Sequence, residues 1–177
     1  MSNALATRPA TTEYDPYYER YISLVPNDDI VQTLSAQLEE TLKVLGTISE
    51  AQAGYRYAPD KWSIKEVIGH VVDTERIFAY RALRFARNDH TPIEGYDQDE
   101  FARYGGFDQR TLADLAAELE YVRRANIVLF SSFNETVLER HGIANQVEVS
   151  VRALLYILAG HERHHMNVLK TRYLSAL

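Results

Sequence analysis

Three of the chain's six histidines fall within five residues, His161-Glu162-Arg163-His164-His165. Neutral imidazole is the commonest metal ligand among side chains, so the first question is which of these rings can converge. At about 100° per residue on a helix, His161 and His165 stand about 40° apart and one turn apart, a spacing at which two rings reach one ion. His161 with His164, about 60° apart, is the geometric competitor. The string His161-Glu162-x-x-His165 also has the zincin form, in which the glutamate serves as general base of a metallopeptidase. The usual companions of that motif are missing: only twelve residues follow His165, none is His, Asp or Glu, and no glycine stands at the metzincin position. A third ligand has to come from upstream, which suits a helical bundle better than a peptidase cleft.

The helix that carries the cluster decides where it points. Val151, Leu154, Ile157, Leu158, Val168 and Leu169 form its apolar stripe. The mean direction of that stripe lies about 35° from His161, close to His165 and about 95° from His164. His161 and His165 therefore look inward and His164 sideways. Ionisable groups on a buried stripe cost desolvation unless they are satisfied, either by a metal ion or by polar neighbours in the core. His70 is the candidate third ligand, because it alone of the remaining three lies in the body of a long predicted helix; His90 and His141 stand beside predicted helix ends. It lies about 80° off the mean of Ile64, Val67, Val71, Phe78 and Phe85, at the margin of that face.

Four amphipathic segments supply the frame. The prolines at 9, 16, 26, 59 and 92 all fall outside them. The first runs from Asp28 to Ser49, with Ile30, Leu34, Leu38, Leu42 and Leu45 at helical spacing and Asn27 available as N-cap. The second starts at Trp62, where Ser63 and Glu66 have capping-box spacing, and reaches about Arg87. The third follows Asp108 with Leu112, Leu115, Leu119, Val122, Phe130 and Phe133, and the last extends from about Val149 to Leu174. No segment shows sustained strict alternation between hairpin turns, so essentially no sheet is expected. The expected fold class is all-α, a four-helix bundle spanning 21–177 behind an N-terminal tail, 1–20. The long connection between the second and third helices, Asn88 to Asp108, is expected to hold a short helix near Asp97 to Arg103 and to cross the bundle end or cover a site. Tyr14, Tyr17, Tyr18 and Tyr21 in the tail region are expected to pack on the bundle or on a partner subunit.

Composition narrows the functional classes. The 177 residues carry 19 Lys+Arg against 25 Asp+Glu, a formal charge of −6, so basic residues scattered among carboxylates give no footprint for nucleic acid. A hydrophobic share of 46% with no unbroken apolar run of about 18 residues marks a folded chain without a membrane span. Zero cysteine excludes disulfides, thiolate zinc sites, iron–sulfur clusters and a cysteine nucleophile. Met1 to Asp15 lack the apolar region of a secretory signal, so a cytoplasmic location is expected.

These residues resemble the DinB/YfiT-like superfamily. The likeness is carried by Tyr57-Ala58-Pro59-x-Lys61-Trp62-Ser63-Ile64-x-Glu66-Val67-x-x-His70, by Asp73 and Glu75, by Arg81-Ala82-Leu83-Arg84, and by Gly160-His161-Glu162-x-His164-His165. It covers roughly Tyr17 to Tyr173. The resemblance implies a four-helix bundle, often a homodimer, with one divalent metal ion held by three histidines, here His70, His161 and His165. Zinc, nickel, iron and manganese all suit three neutral imidazoles. Three protein ligands leave coordination positions open, for a water or for a thiol. The family thereby implies a metal-dependent hydrolase or a transferase using a low-molecular-weight thiol, acting on a small molecule; a non-catalytic metal-binding or interaction bundle is the alternative.

Several other polar residues fall on inward faces. Arg123 and Asn126 lie within the stripe of the third helix, where a guanidinium needs either a structural carboxylate, Asp73 or Glu75, or the carboxylate of a substrate. Arg81 and Arg84 lie within about 40° of the His70 direction and pose the same choice. Glu66, Asp73 and Glu162 are candidates to accept imidazole N–H groups and so fix the tautomers.

Overall fold

Helix boundaries follow the local capping chemistry. A computed structural model describes residues 7–177, so the first six residues of the expected tail lie outside the described residues. After the 3-10 turn Pro16–Tyr18 come α1 (Glu19–Ile22), the long α2 (Ile30–Leu45) and α3 (Glu50–Ala53). The second long helix, α4 (Ile64–Ala86), is followed by α5 (Gln98–Tyr104), the third long helix α6 (Leu112–Phe130) and α7 (Glu135–Leu138). Two strands, β1 (His141–Ala144) and β2 (Val147–Ser150), lead into α8 (Val151–Val168), which ends in a π-helical turn, Leu169–Tyr173. Ser63 and Glu66 close the expected capping box at the start of α4. Helix α2 runs from Ile30 to Leu45 and not from Asp28 to Ser49 as expected; it starts at Ile30 because the side chain capping it is Asp29, which accepts the N–H groups of Val31 and Gln32, and not Asn27.

Helix α4 packs on α8 and α6, and α2 packs on the same two, so α2 and α4 face each other across the bundle. Small residues set some of these distances. Gly69 on α4 leaves room for the ring of Phe107, which a Cβ would strike. Among the described residues, no helix is long and apolar enough to cross a membrane.

The expectation of no sheet needs correction: β1 and β2 form an antiparallel hairpin with His141 opposite Ser150 and Ala144 opposite Val147. Its two-residue turn, Asn145-Gln146, has positive φ at both positions, 52° and 64°, as a type I′ turn requires. Four residues per strand are too few to show alternation, and Gln stands where glycine usually announces this turn. The hairpin also holds the long connection in place, since the N–H of Ile93 donates to the carbonyl of Ile143 and that of Asn145 to the carbonyl of Ile93, both at 2.9 Å. The start of α8 therefore moves from Val149 to Val151, with Ser150 as its cap.

Candidate metal centre

His70 reaches the centre from α4, and His161 and His165 reach it from consecutive turns of α8. Nε2 of His161 lies 3.0 Å from Nε2 of His70 and 3.1 Å from Nε2 of His165. The ligand atoms of all three lie within 4.8 Å of one another. Nitrogens bound at about 2.0–2.1 Å to one ion stand roughly 2.9–3.4 Å apart between right-angled and tetrahedral geometry, so the two close contacts fit a shared ion. A metal-free triad is poorly matched to itself, because His161 Nε2 faces both neighbours and carries one proton at most.

Burial sets the electrostatics. His70 is 2% and His161 7% exposed, and the closely surrounded His165 is half-buried. Burial lowers the His70 pKa to about 4. Burial first, then the neighbouring rings of His70 and His164, lower that of His165 to about 3. His161 is pushed well below the usual histidine range, by burial and then by His165 and His70. All three rings are therefore neutral at neutral pH and keep the lone pairs that metal binding requires.

The sideways reading of His164 holds: it lies outside the triad, with its ring edge-on to Tyr21 at 5.5 Å. His70 turns inward despite its marginal wheel position because α4 is covered on two sides, by α8 and α6. Trp62, immediately before the Ser63 cap of α4, lies against the His70 ring with centroids 4.8 Å apart. Tyr21 meets His161 edge-on at 5.5 Å. This contact depends on Gly160, where an added Cβ would collide with the backbone carbonyl of Tyr21. The tyrosine-rich segment thus lies directly on α8.

A cavity of about 320 Å³ opens beside the triad, with His161 on its wall and Tyr18, Tyr21, Thr74, Arg81 and Tyr96 among its lining residues. Tyr96 comes from the long connection and bonds Thr74 through its hydroxyl at 2.9 Å. Sequence reasoning foresaw that this connection could cover a site but did not single out Tyr96. Its position beside Gly95, in the middle of the connection, was the available signal.

The polar residues near the site divide sharply. Arg123 is fully buried and grips Glu75 with two bonds of 2.8 Å, so its partner is Glu75 and not Asp73; Asn126 donates to the same carboxylate at 3.0 Å. Glu162 does not serve the imidazoles. Its carboxylate accepts from Arg123 at 2.8 Å, from Gln37 at 2.6 Å and from Thr41 at 2.7 Å, on the side of α8 facing α2 and α6. The zincin likeness is therefore one of spelling, since the glutamate is committed to the core. Glu66 caps α4 and pairs with Arg56, away from the triad. Asp73 is half-buried, and its carboxyl is raised by burial. Arg84 is held by Asp89 and the Tyr80 hydroxyl, outside the cavity. Arg81 alone of the three arginines lines it.

Comparison with known proteins agrees with this fold. The chain is similar over 95% of its length, with a TM-score of 0.71 and 14% identity, to 92% of the structure described as "YfiT from Bacillus subtilis is a probable metal-dependent hydrolase with an unusual four-helix bundle topology". It is similar over 82% of its length, with a TM-score of 0.66 and 14% identity, to 61% of the mycothiol-dependent maleylpyruvate isomerase. No curated protein sequence matches it. The family model of the DinB superfamily matches residues 33–169, which include all three histidines of the triad, and the chain belongs to that superfamily.

Proposed function

We propose that His70, His161 and His165 hold one divalent metal ion, zinc, nickel, iron or manganese, and that the chain is a metal-dependent enzyme acting on a small molecule, as a hydrolase or as a low-molecular-weight-thiol transferase. The observation that carries this reading is the convergence of three neutral imidazoles, with ligand atoms within 4.8 Å, beside a 320 Å³ cavity that His161 lines. Three protein ligands are the donor set of a site that keeps positions open for a reactant. A bound ion supplies Lewis-acid activation of a water or a thiol. The chain's own residues do the rest: the Gln37, Thr41 and Arg123 contacts of Glu162 hold one face of α8, while Tyr21 and Trp62 fix the faces of His161 and His70 and limit water there. One solved relative is named as a probable hydrolase and the other as a thiol-dependent isomerase, which supports both arms.

Elemental analysis of the purified protein tests the site. About one ion per chain is expected, with near-complete loss in each of His70→Ala, His161→Ala and His165→Ala. Unchanged metal content in the three variants removes the reading. Ester and amide panels, set beside thiol-plus-electrophile panels, then assign the reaction. A metal-loaded protein inactive in every panel supports the non-catalytic metal-binding bundle. The same reading includes a cytoplasmic homodimer, and a light-scattering mass of one chain removes the dimer.

A further inference from the structure

We propose that Arg81 is the anion anchor of this cavity and that the ligand is a small organic carboxylate with an apolar or aromatic body. Arg81 is 3% exposed and forms no ion pair among the described residues. Among the described residues its hydrogen bonding amounts to one long contact, from a terminal nitrogen to the carbonyl of Glu94 at 3.3 Å, while Nε is buried with no partner there. A guanidinium carries five N–H donors and is costly to bury with its charge uncompensated. Arg123 shows what this fold does with a structural arginine in the core: it supplies two carboxylates and a carbonyl. Arg81 has a cavity instead.

The lining defines the ligand. Tyr18, Tyr21, Phe78 and Tyr96 present rings, and the Arg81 guanidinium lies 5.1 Å from the centre of the Phe78 ring. Asp15, the one carboxylate on the lining, is turned to cap the Pro16–Tyr18 turn, accepting the N–H of Tyr17 at 2.8 Å. A single guanidinium, with no lysine beside it and a carboxylate on the wall, suits one negative charge better than the two of a phosphate monoester. A guanidinium presents paired N–H groups that two carboxylate oxygens match. His70, Thr74 and Arg81 lie within about 40° of one another on α4, with roughly 16 Å of helix between the first and the last. The charged head is thus held well away from the triad, the body lies between the rings, and the far end of the molecule faces His161. The inference rests on reading this cavity as the substrate site of the proposed metal centre.

Calorimetric titration of the full chain with 3-phenylpropionate, 3-phenylpropionamide and 2-phenylethyl phosphate tests it without requiring turnover. The acid is expected to bind one per chain, about tenfold or more tighter than the amide, and the phosphate no tighter than the acid. Arg81→Met is expected to weaken the acid by about 10- to 100-fold and leave the amide unchanged, with Arg81→Lys recovering part of the loss. Equal affinity for acid and amide, no saturable acid binding, tighter phosphate binding, or undiminished acid binding by a folded Arg81→Met overturns the proposal. If Arg81→Met fails to fold, the three-ligand comparison on the native chain decides alone. His165→Ala separates the two readings: it is expected to lose metal yet keep the preference for acid over amide. A His165→Ala protein that retains its metal removes the metal centre and leaves the anion anchor standing.

Discussion

Arg123 and Glu162 meet at 2.8 Å in the buried centre of the bundle, one residue along α8 from His161. With Glu75 on α4 and with Gln37 and Thr41 on α2, they tie all four long helices through one polar network. Each partner satisfies a group that would be costly to leave alone in the interior. The network holds α8 in the register that brings His161 and His165 opposite His70.

Glu162→Gln removes one of the two carboxylates that compensate Arg123 and is expected to cost about 3 kcal/mol of stability, read from the denaturant midpoint, with metal content retained. A general base at this position would behave in the opposite way. Loss of turnover with unchanged stability would show that Glu162 reaches the reacting atoms.

Metal binding couples to folding because the unfolded chain has no assembled triad. At a free ion concentration about 100 times Kd, the native protein is expected to gain about 2.7 kcal/mol, seen as a higher melting temperature that a chelator reverses. His165→Ala abolishes the metal-dependent part of that gain. A chelator-insensitive melting temperature would contradict the coupling.

Acid acts on the metal-free protein through the same rings. Their folded pKa values lie below the ordinary value of 6.5, at about 4 for His70 and about 3 for His165, chiefly because burial disfavours the charged imidazolium. Below pH 6.5 the unfolded chain takes up protons that the folded one refuses. The stability these neutral rings contribute is therefore complete above pH 6.5 and lost as pH falls through about 4 to 3. A pH series of denaturant curves on chelated protein should show this fall, and His70→Ala should flatten it.

Gly160→Ala places a methyl group against the Tyr21 backbone and is expected to cost about 1–3 kcal/mol. It displaces the Tyr21 ring from His161, so added solvent access at the triad should appear as faster metal loss to a chelator. A variant with native stability and native metal-loss rate would show that the close approach is not needed.

Much of the frame was legible because its signals are local. Ser63 and Glu66 announced the start of α4, the stripe from Val151 to Leu169 turned His161 and His165 inward and His164 aside, and a guanidinium on the Arg123 stripe demanded a carboxylate. The hairpin escaped because its strands are too short for a period to show and its turn lacks glycine. Glu162 was misread because it flanks His161 in sequence, yet a helix turns adjacent residues about 100° apart, here toward different neighbours.

By itself the sequence determined the helices, their buried faces and the pair of histidines one turn apart, since each follows from the 3.6-residue period. Only the tertiary structure decided that His70, marginal on its own helix face, turns inward to within 3.0 Å of His161, that Glu75 and not Asp73 takes Arg123, and that Arg81 is left facing a cavity while Arg84 is paired outside it. Those outcomes depend on which helices adjoin which, and adjacency between residues 91 positions apart, such as His70 and His161, is set by how four faces share one interior.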